Sequence, residues 1–291
     1  MGKLRASYLL ASESFEFLRK DKEMLWFPLI SLFSNILVIV CVGLLYVVYF
    51  LSTEDTSLND TSADTVVAYL FLFLAYLGLA FVFTFFQGAI ATMVRMRIEG
   101  KDPTIADGIG RSMSHLRKIL YWSVVTSTVG IIINVMQERL GWLGKIFGLI
   151  GTVAWSVLTF FMVPVLILED LSVKDSLARS GKVFKDTWGE TLVMNFSLGL
   201  FFGALHIMWM IICAVLVFVF IDALLMLLVL LILFVLGFTA LCVVSSLLSA
   251  IFKVVLYEYS VSGKVPDSFT PELIIGAIKR TTVPKAPAPL V

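Results

Sequence analysis

Charge is what this sequence has least of. Only 15% of its 291 residues are charged, against roughly 25% in an ordinary soluble domain. The net charge is +1, so no strong field points to a nucleic-acid partner. Histidine is rarer still. His115 and His206 are far apart in the chain and cannot alone make a metal site. The three cysteines, Cys41, Cys213 and Cys242, sit inside apolar runs at spacings that fit no zinc or redox pattern, and read as small packing residues. No nucleophile elbow, P-loop, zinc-protease helix or dinucleotide fingerprint occurs. No Ser, Asp or Glu set forms a triad or a pair of acids. These gaps argue against an enzyme, and no cofactor or metal is expected. The first twenty residues are charged and amphipathic, so no cleavable signal peptide is expected.

Apolar sequence is abundant. The chain is 59% hydrophobic with mean hydropathy +0.99, which places it among polytopic membrane proteins. About 20 apolar residues suffice to cross a bilayer. Six spans are expected, at Leu25–Leu51, Val66–Val94, Ile119–Val135, Gly141–Leu168, Thr191–Ile221 and Ala223–Tyr257. A tight turn at Asp222 separates the last two, which exceed the bilayer minimum and must tilt or protrude. Pro28 falls in a first helical turn, where proline is tolerated, while Pro164 should kink the end of the fourth span. The expected fold class is all-α, with six transmembrane helices and amphipathic helices on the cytosolic side.

Lysine and arginine cluster before the first span and after the second, fourth and sixth. The other connections, including the acidic stretch 52–65, lack that excess. The positive-inside bias therefore predicts a multi-pass plasma-membrane protein with both termini cytosolic. The Asn59-Asp60-Thr61 sequon is a short match and carries little weight.

The basic connections hold amphipathic segments, expected at residues 6–22, 104–118, 172–188 and 270–280. The third is the clearest. Ser172 suits an N-cap, with Asp175 three residues on. Val173, Leu177, Gly181, Phe184 and Trp188 then form one apolar stripe between basic residues. Such helices should lie along the membrane surface. Two of them repeat without a gap. Thr104–Arg117 sets Asp107, Arg111 and Ser112 over Asp175, Arg179 and Ser180 of Ser172–Lys185. The first helix keeps a fainter copy in Ser14, Leu18 and Arg19, and Gly100-Lys101-Asp102-Pro103 recurs as Gly263-Lys264-Val265-Pro266. The reading is a single membrane domain, 1–280. It comprises three helix-plus-hairpin units at 6–99, 104–170 and 172–262, a closing helix at 270–280, and a Pro/Ala-rich disordered tail at 281–291.

Val163-Pro164-Val165-Leu166, then Ser180 to Lys185, then Trp188-Gly189, together with the ending VVLYEYSVSGKVPDSF, form a recognisable pattern. Over essentially the whole chain it resembles an uncharacterised family of bacterial and archaeal six-span proteins with a domain of unknown function. The resemblance implies a fold but brings no activity and no catalytic residues.

Three sets of candidate residues remain. Asp107–Arg111 and Asp175–Arg179 have the favourable i,i+4 order, worth about 0.2–0.5 kcal/mol per pair. Each arginine has room for a second partner, a lipid phosphate or the carbonyls ending a span. Ser112 and Ser180 should face the bundle and hydrogen-bond a span end. The intramembrane polar residues Asn35, Gln87, Asn134, Asn195 and His206 form the second set. They supply too little charge for an ion-coupled pathway. Gly144 and Gly148, then Gly199 and Gly203, form small-residue faces suited to close helix packing. Two functions fit. One is a non-enzymatic scaffold or lipid-organising protein. The other is a permease for a small solute or anion. Membrane lipids are the expected partners, with a second copy or another membrane protein also compatible.

Overall fold

The computed structural model describes residues 3–53, 61–139, 141–188, 196–220, 223–263 and 269. Among these the chain is helical between its turns, with no strand. The helices are α1 (Lys3–Lys20), α2 (Trp26–Thr53), α3 (Thr61–Ile98), α4 (Ile105–Ser114), α5 (Leu116–Arg139), α6 (Gly141–Leu158), α7 (Met162–Leu168), α8 (Val173–Trp188), α9 (Phe196–Val219) and α10 (Leu224–Ser262). Among the described residues, six stretches are long and apolar enough to cross a membrane: 22–52, 65–98, 116–139, 144–168, 201–219 and 224–262. The protein is thus an all-α, multi-pass membrane protein. The expected turn at Asp222, the closing helix at 270–280 and the tail at 281–291 lie outside the described residues.

Two compact units emerge, one of residues 22–181 and one of residues 1–21 with 182–291. In the first, α3 packs against α2, α4, α5 and α7, and α5 packs against α6. In the second, α1 packs against α9 and α10, and α9 against α10. Phe17 of α1 stacks at a tilt on Phe269, 6.1 Å between centroids.

The longest helices, α3 and α10, are built alike. At 1.5 Å per residue, 38 and 39 residues extend about 57 Å, roughly twice the ~30 Å hydrocarbon core. The early part of each is half-exposed or exposed, as a lipid-facing span should be. Further on, burial surrounds the helix, over Gly88–Val94 in α3 and over most of Leu247–Tyr259 in α10. Each then ends at a left-handed glycine, Gly100 (φ +78°) or Gly263 (φ +72°). These are the glycines of the repeated Gly-Lys-x-Pro sequence, and the left-handed conformation explains why glycine stands first in it.

Two expected helices prove to be interrupted. The amphipathic helix expected at 104–118 ends at Ser114. The carbonyl of Arg111, which should accept the His115 N–H, instead faces the Ser114 hydroxyl at 2.7 Å and the His115 ring at 2.9 Å. The His115 N–H goes to Ser112 O, and α5 begins at Leu116 rather than Ile119. Local side-chain bonding has displaced the helical ladder. The fourth span, expected over 141–168 with a kink from Pro164 near its end, is divided outright at 159–161 into α6 and α7. Pro164 has no N–H for the Phe160 carbonyl, and its ring crowds that position. The break lies one turn ahead of it, which puts Pro164 in the first turn of α7.

Candidate functional site

The charged and hydroxyl residues of the first unit gather around α7. This helix is almost wholly buried. On one side Trp122 stacks on Trp155, 5.7 Å between centroids, and Met162, Leu166, Val173 and Leu177 complete an apolar cluster. The start of the α8 stripe, Val173 and Leu177, is thereby seated. On the other side, α4 lies against α3. A side chain at Gly108 would meet the Ala89 carbonyl, and Ser112 Oγ donates to Phe85 O at 2.9 Å. Four residues forward on α4 match four residues back on α3. So α4 runs antiparallel alongside the end of that helix.

Both helix starts are capped. Thr104 and Asp107 form a full capping box, with Asp107 Oδ2 2.9 Å from Thr104 N and 2.6 Å from its hydroxyl. The Thr104 hydroxyl, then its backbone N–H, lowers the Asp107 carboxyl below its usual range. Ser172 accepts the Asp175 N–H at 3.2 Å and donates to Asp175 Oδ2 at 2.6 Å. These short side chains are committed to the caps. No ion pair joins Asp107 to Arg111 or Asp175 to Arg179 among the described residues.

The arginines turn to the end of α7, whose last carbonyls have no helical donor. Arg111 donates from Nε (3.2 Å) and one Nη (3.0 Å) to Ile167 O. Arg95 donates to Leu168 O at 3.2 Å. Arg179 Nε lies 3.1 and 3.2 Å from the two carboxylate oxygens of Glu169. Beyond it, Asp170 is left-handed (φ +58°), a conformation aspartate tolerates. Its Oδ1 meets Lys118 Nζ at 2.7 Å and His115 Nε2 at 2.8 Å, and its carbonyl accepts from Lys118 at 2.8 Å. Lys118, then His115, holds the Asp170 carboxyl at about 2. Cations collected at a helix C-terminus oppose its negative dipole end.

The two serines mark both ends of this arrangement. Ser180 Oγ donates to Leu158 O at 2.8 Å and accepts the Phe161 N–H at 3.1 Å. It bridges the break between α6 and α7, where Met162 N bonds to Thr159 O instead of Leu158 O. Gly181 packs close here, and a β-carbon there would displace the tip of the Leu158 side chain.

The remaining candidates do not converge. Asn35 Nδ2 reaches Ser31 on its own helix at 3.5 Å. His206 Nδ1 faces Phe202 O at 2.7 Å, and its Nε2 lies 3.4 Å from Cys242 Sγ. Gln87 and Asn134 are half-buried, and Asn195 lies outside the described residues. Gly144 and Gly148 are buried, and Gly148 abuts Gln137 of α5. No described atom lies within 4 Å of a β-carbon at Gly199 or Gly203. Sequence reading passed over His115 and Asp170, which meet across 55 residues and share no local pattern.

No curated protein and no solved structure matches the chain. A model for a family of unknown function, DUF6159, matches residues 66–267, a stretch that contains the whole arrangement around α7. Six apolar spans and a match over more than half its length make this chain a member of the family of unknown function DUF6159.

Proposed function

We propose that the protein is a non-enzymatic scaffold that organises lipids at the plasma membrane, with both termini cytosolic. The supporting observation is how its polar groups are spent. Around α7 they fasten the amphipathic helices to the spans, through Ser112 on Phe85 O, Ser180 on Leu158 O and Arg111 on Ile167 O. Within the spans, Thr126, Thr128, Thr152 and Ser156 each donate to a carbonyl of their own helix four residues back. Hydroxyl protons used in this way are not offered to a passing solute, which favours the scaffold. Meanwhile α8 leaves Lys174, Lys182 and Lys185 exposed, a basic face suited to anionic headgroups.

The permease reading makes the opposite demand, and flux decides between them. Proteoliposomes should pass chloride and sulfate no faster than empty vesicles; saturable flux would overturn the scaffold. In a cysteine-free background, Ser57→Cys should react with an impermeant maleimide from outside. Pro284→Cys should react only after permeabilisation, and the reverse pattern would invert the topology.

A further inference from the structure

Arg117, in the first turn of α5, is exposed and makes no hydrogen bond or ion pair among the described residues. Its neighbours Arg111 and Lys118 are both engaged. Beside it lies a cavity of about 380 Å³, within the ~300–1,000 Å³ range of small-ligand sites. Leu74, Leu77 and Phe81 of α3 and Leu116 and Leu120 of α5 form its walls. Gly78 lines it too, and lets α3 close on α2 behind it, since a β-carbon there would collide with Val38.

Depth along α5 fixes what this guanidinium meets. Tyr69 of α3 donates to Glu138 at 3.4 Å, marking the far polar end of the hairpin. From Glu138 back to Arg117 the helix rises about 30 Å, one hydrocarbon thickness. Arg117 therefore stands at the opposite headgroup level. The α3 residues that border the cavity belong to its half-exposed stretch, ahead of the part buried on all sides from Gly88. An unpaired cation at headgroup depth, above an apolar slot at acyl-chain depth, has the two chemistries of one amphiphile.

We propose that the groove between α3 and α5 binds an anionic phospholipid, with one acyl chain along Leu74, Leu77 and Phe81 and the phosphate on Arg117. The site rests on the lipid-organising reading and gives it a specific seat. Arginine suits the phosphate because its planar fork can donate two bonds at once. Leu116 and Leu120, one turn apart, present the same face of α5 to the chain.

The test uses the full-length protein in detergent with phosphatidylglycerol or phosphatidylcholine added, bound lipid being counted by native mass spectrometry. Arg117→Gln should weaken phosphatidylglycerol retention about fivefold, the effect of one basic residue at a membrane surface, and leave phosphatidylcholine unchanged. Leu77→Trp, which fills the groove, should lower retention of both lipids while Arg117 is intact. Matching thermal unfolding of each variant without added lipid checks the fold. Phosphatidylglycerol retention unchanged in both variants would overturn the site while leaving a lipid-organising protein standing. Wild-type protein with no preference for phosphatidylglycerol over phosphatidylcholine would overturn both.

Discussion

The starts of α4 and α8 are two copies of one sequence motif set against two different span ends. In both, a hydroxyl residue and an aspartate cap the helix, and a serine eight residues later donates to a span carbonyl. The settings differ. Phe85 O belongs to an unbroken helix, so Ser112 adds a second donor to a carbonyl already in the ladder. Leu158 O stands at a break, where Ser180 replaces the missing helical donor and also accepts the Phe161 N–H. The arginines diverge likewise. Arg111 serves a bare carbonyl, whereas Arg179 serves the Glu169 carboxylate. A repeated motif thus fixes where a side chain is delivered, while the opposing segment decides the bond it makes.

The largest effects should separate the serines. Ser180→Ala removes a donor and an acceptor at a buried break and should cost about 2–3 kcal/mol, against about 1 kcal/mol for Ser112→Ala. Equilibrium unfolding in mixed micelles measures both. Equal losses would mean that the break contributes nothing special.

Next come the arginines. Arg111→Gln gives up a charged donor to a carbonyl at a helix end and should cost about 1.5 kcal/mol, with little dependence on salt. Arg179→Gln breaks an ion pair whose side chains are 35% and 22% exposed and should cost under about 1 kcal/mol, less still in high salt. Repeating the unfolding across a salt series sharpens the contrast, and a salt-sensitive Arg111 would erase it.

The smallest effect is expected at Asp170, which joins the two neighbourhoods and whose side chain is 65% exposed. Its folded carboxyl titrates at about 2, below the ordinary value of 3.8. A depressed carboxyl stabilises the fold above the unfolded value and loses that contribution as pH falls from about 3.8 through about 2. Wild-type stability should therefore decline in that window more than that of Asp170→Asn. Parallel curves for the two proteins would show that Lys118 and His115 do not depend on the charge.

Sequence reading reached the serines because a gapless repeat set Ser112 over Ser180. It places Asp175 in the cap of α8, where it stands, but the expected pairs Asp107–Arg111 and Asp175–Arg179 are not made, since i,i+4 spacing cannot show that a cap has already claimed a short carboxylate. Arg95, Lys118 and Asp170 escaped it because their meetings cross 73 and 52 residues of chain.

By itself, then, the sequence determined the class and the layout. Hydropathy set six apolar spans, periodicity set the amphipathic stripes, and Gly100 and Gly263 set two helix ends, because each depends on local chemistry along one helix. Tertiary structure alone decided that α6 and α7 part ahead of Pro164 and are bridged by Ser180. It also decided that four cationic side chains gather at Ile167–Asp170. Which carbonyl or carboxylate a side chain finds depends on the packing of segments distant in the chain, and no spacing within a single helix encodes that meeting.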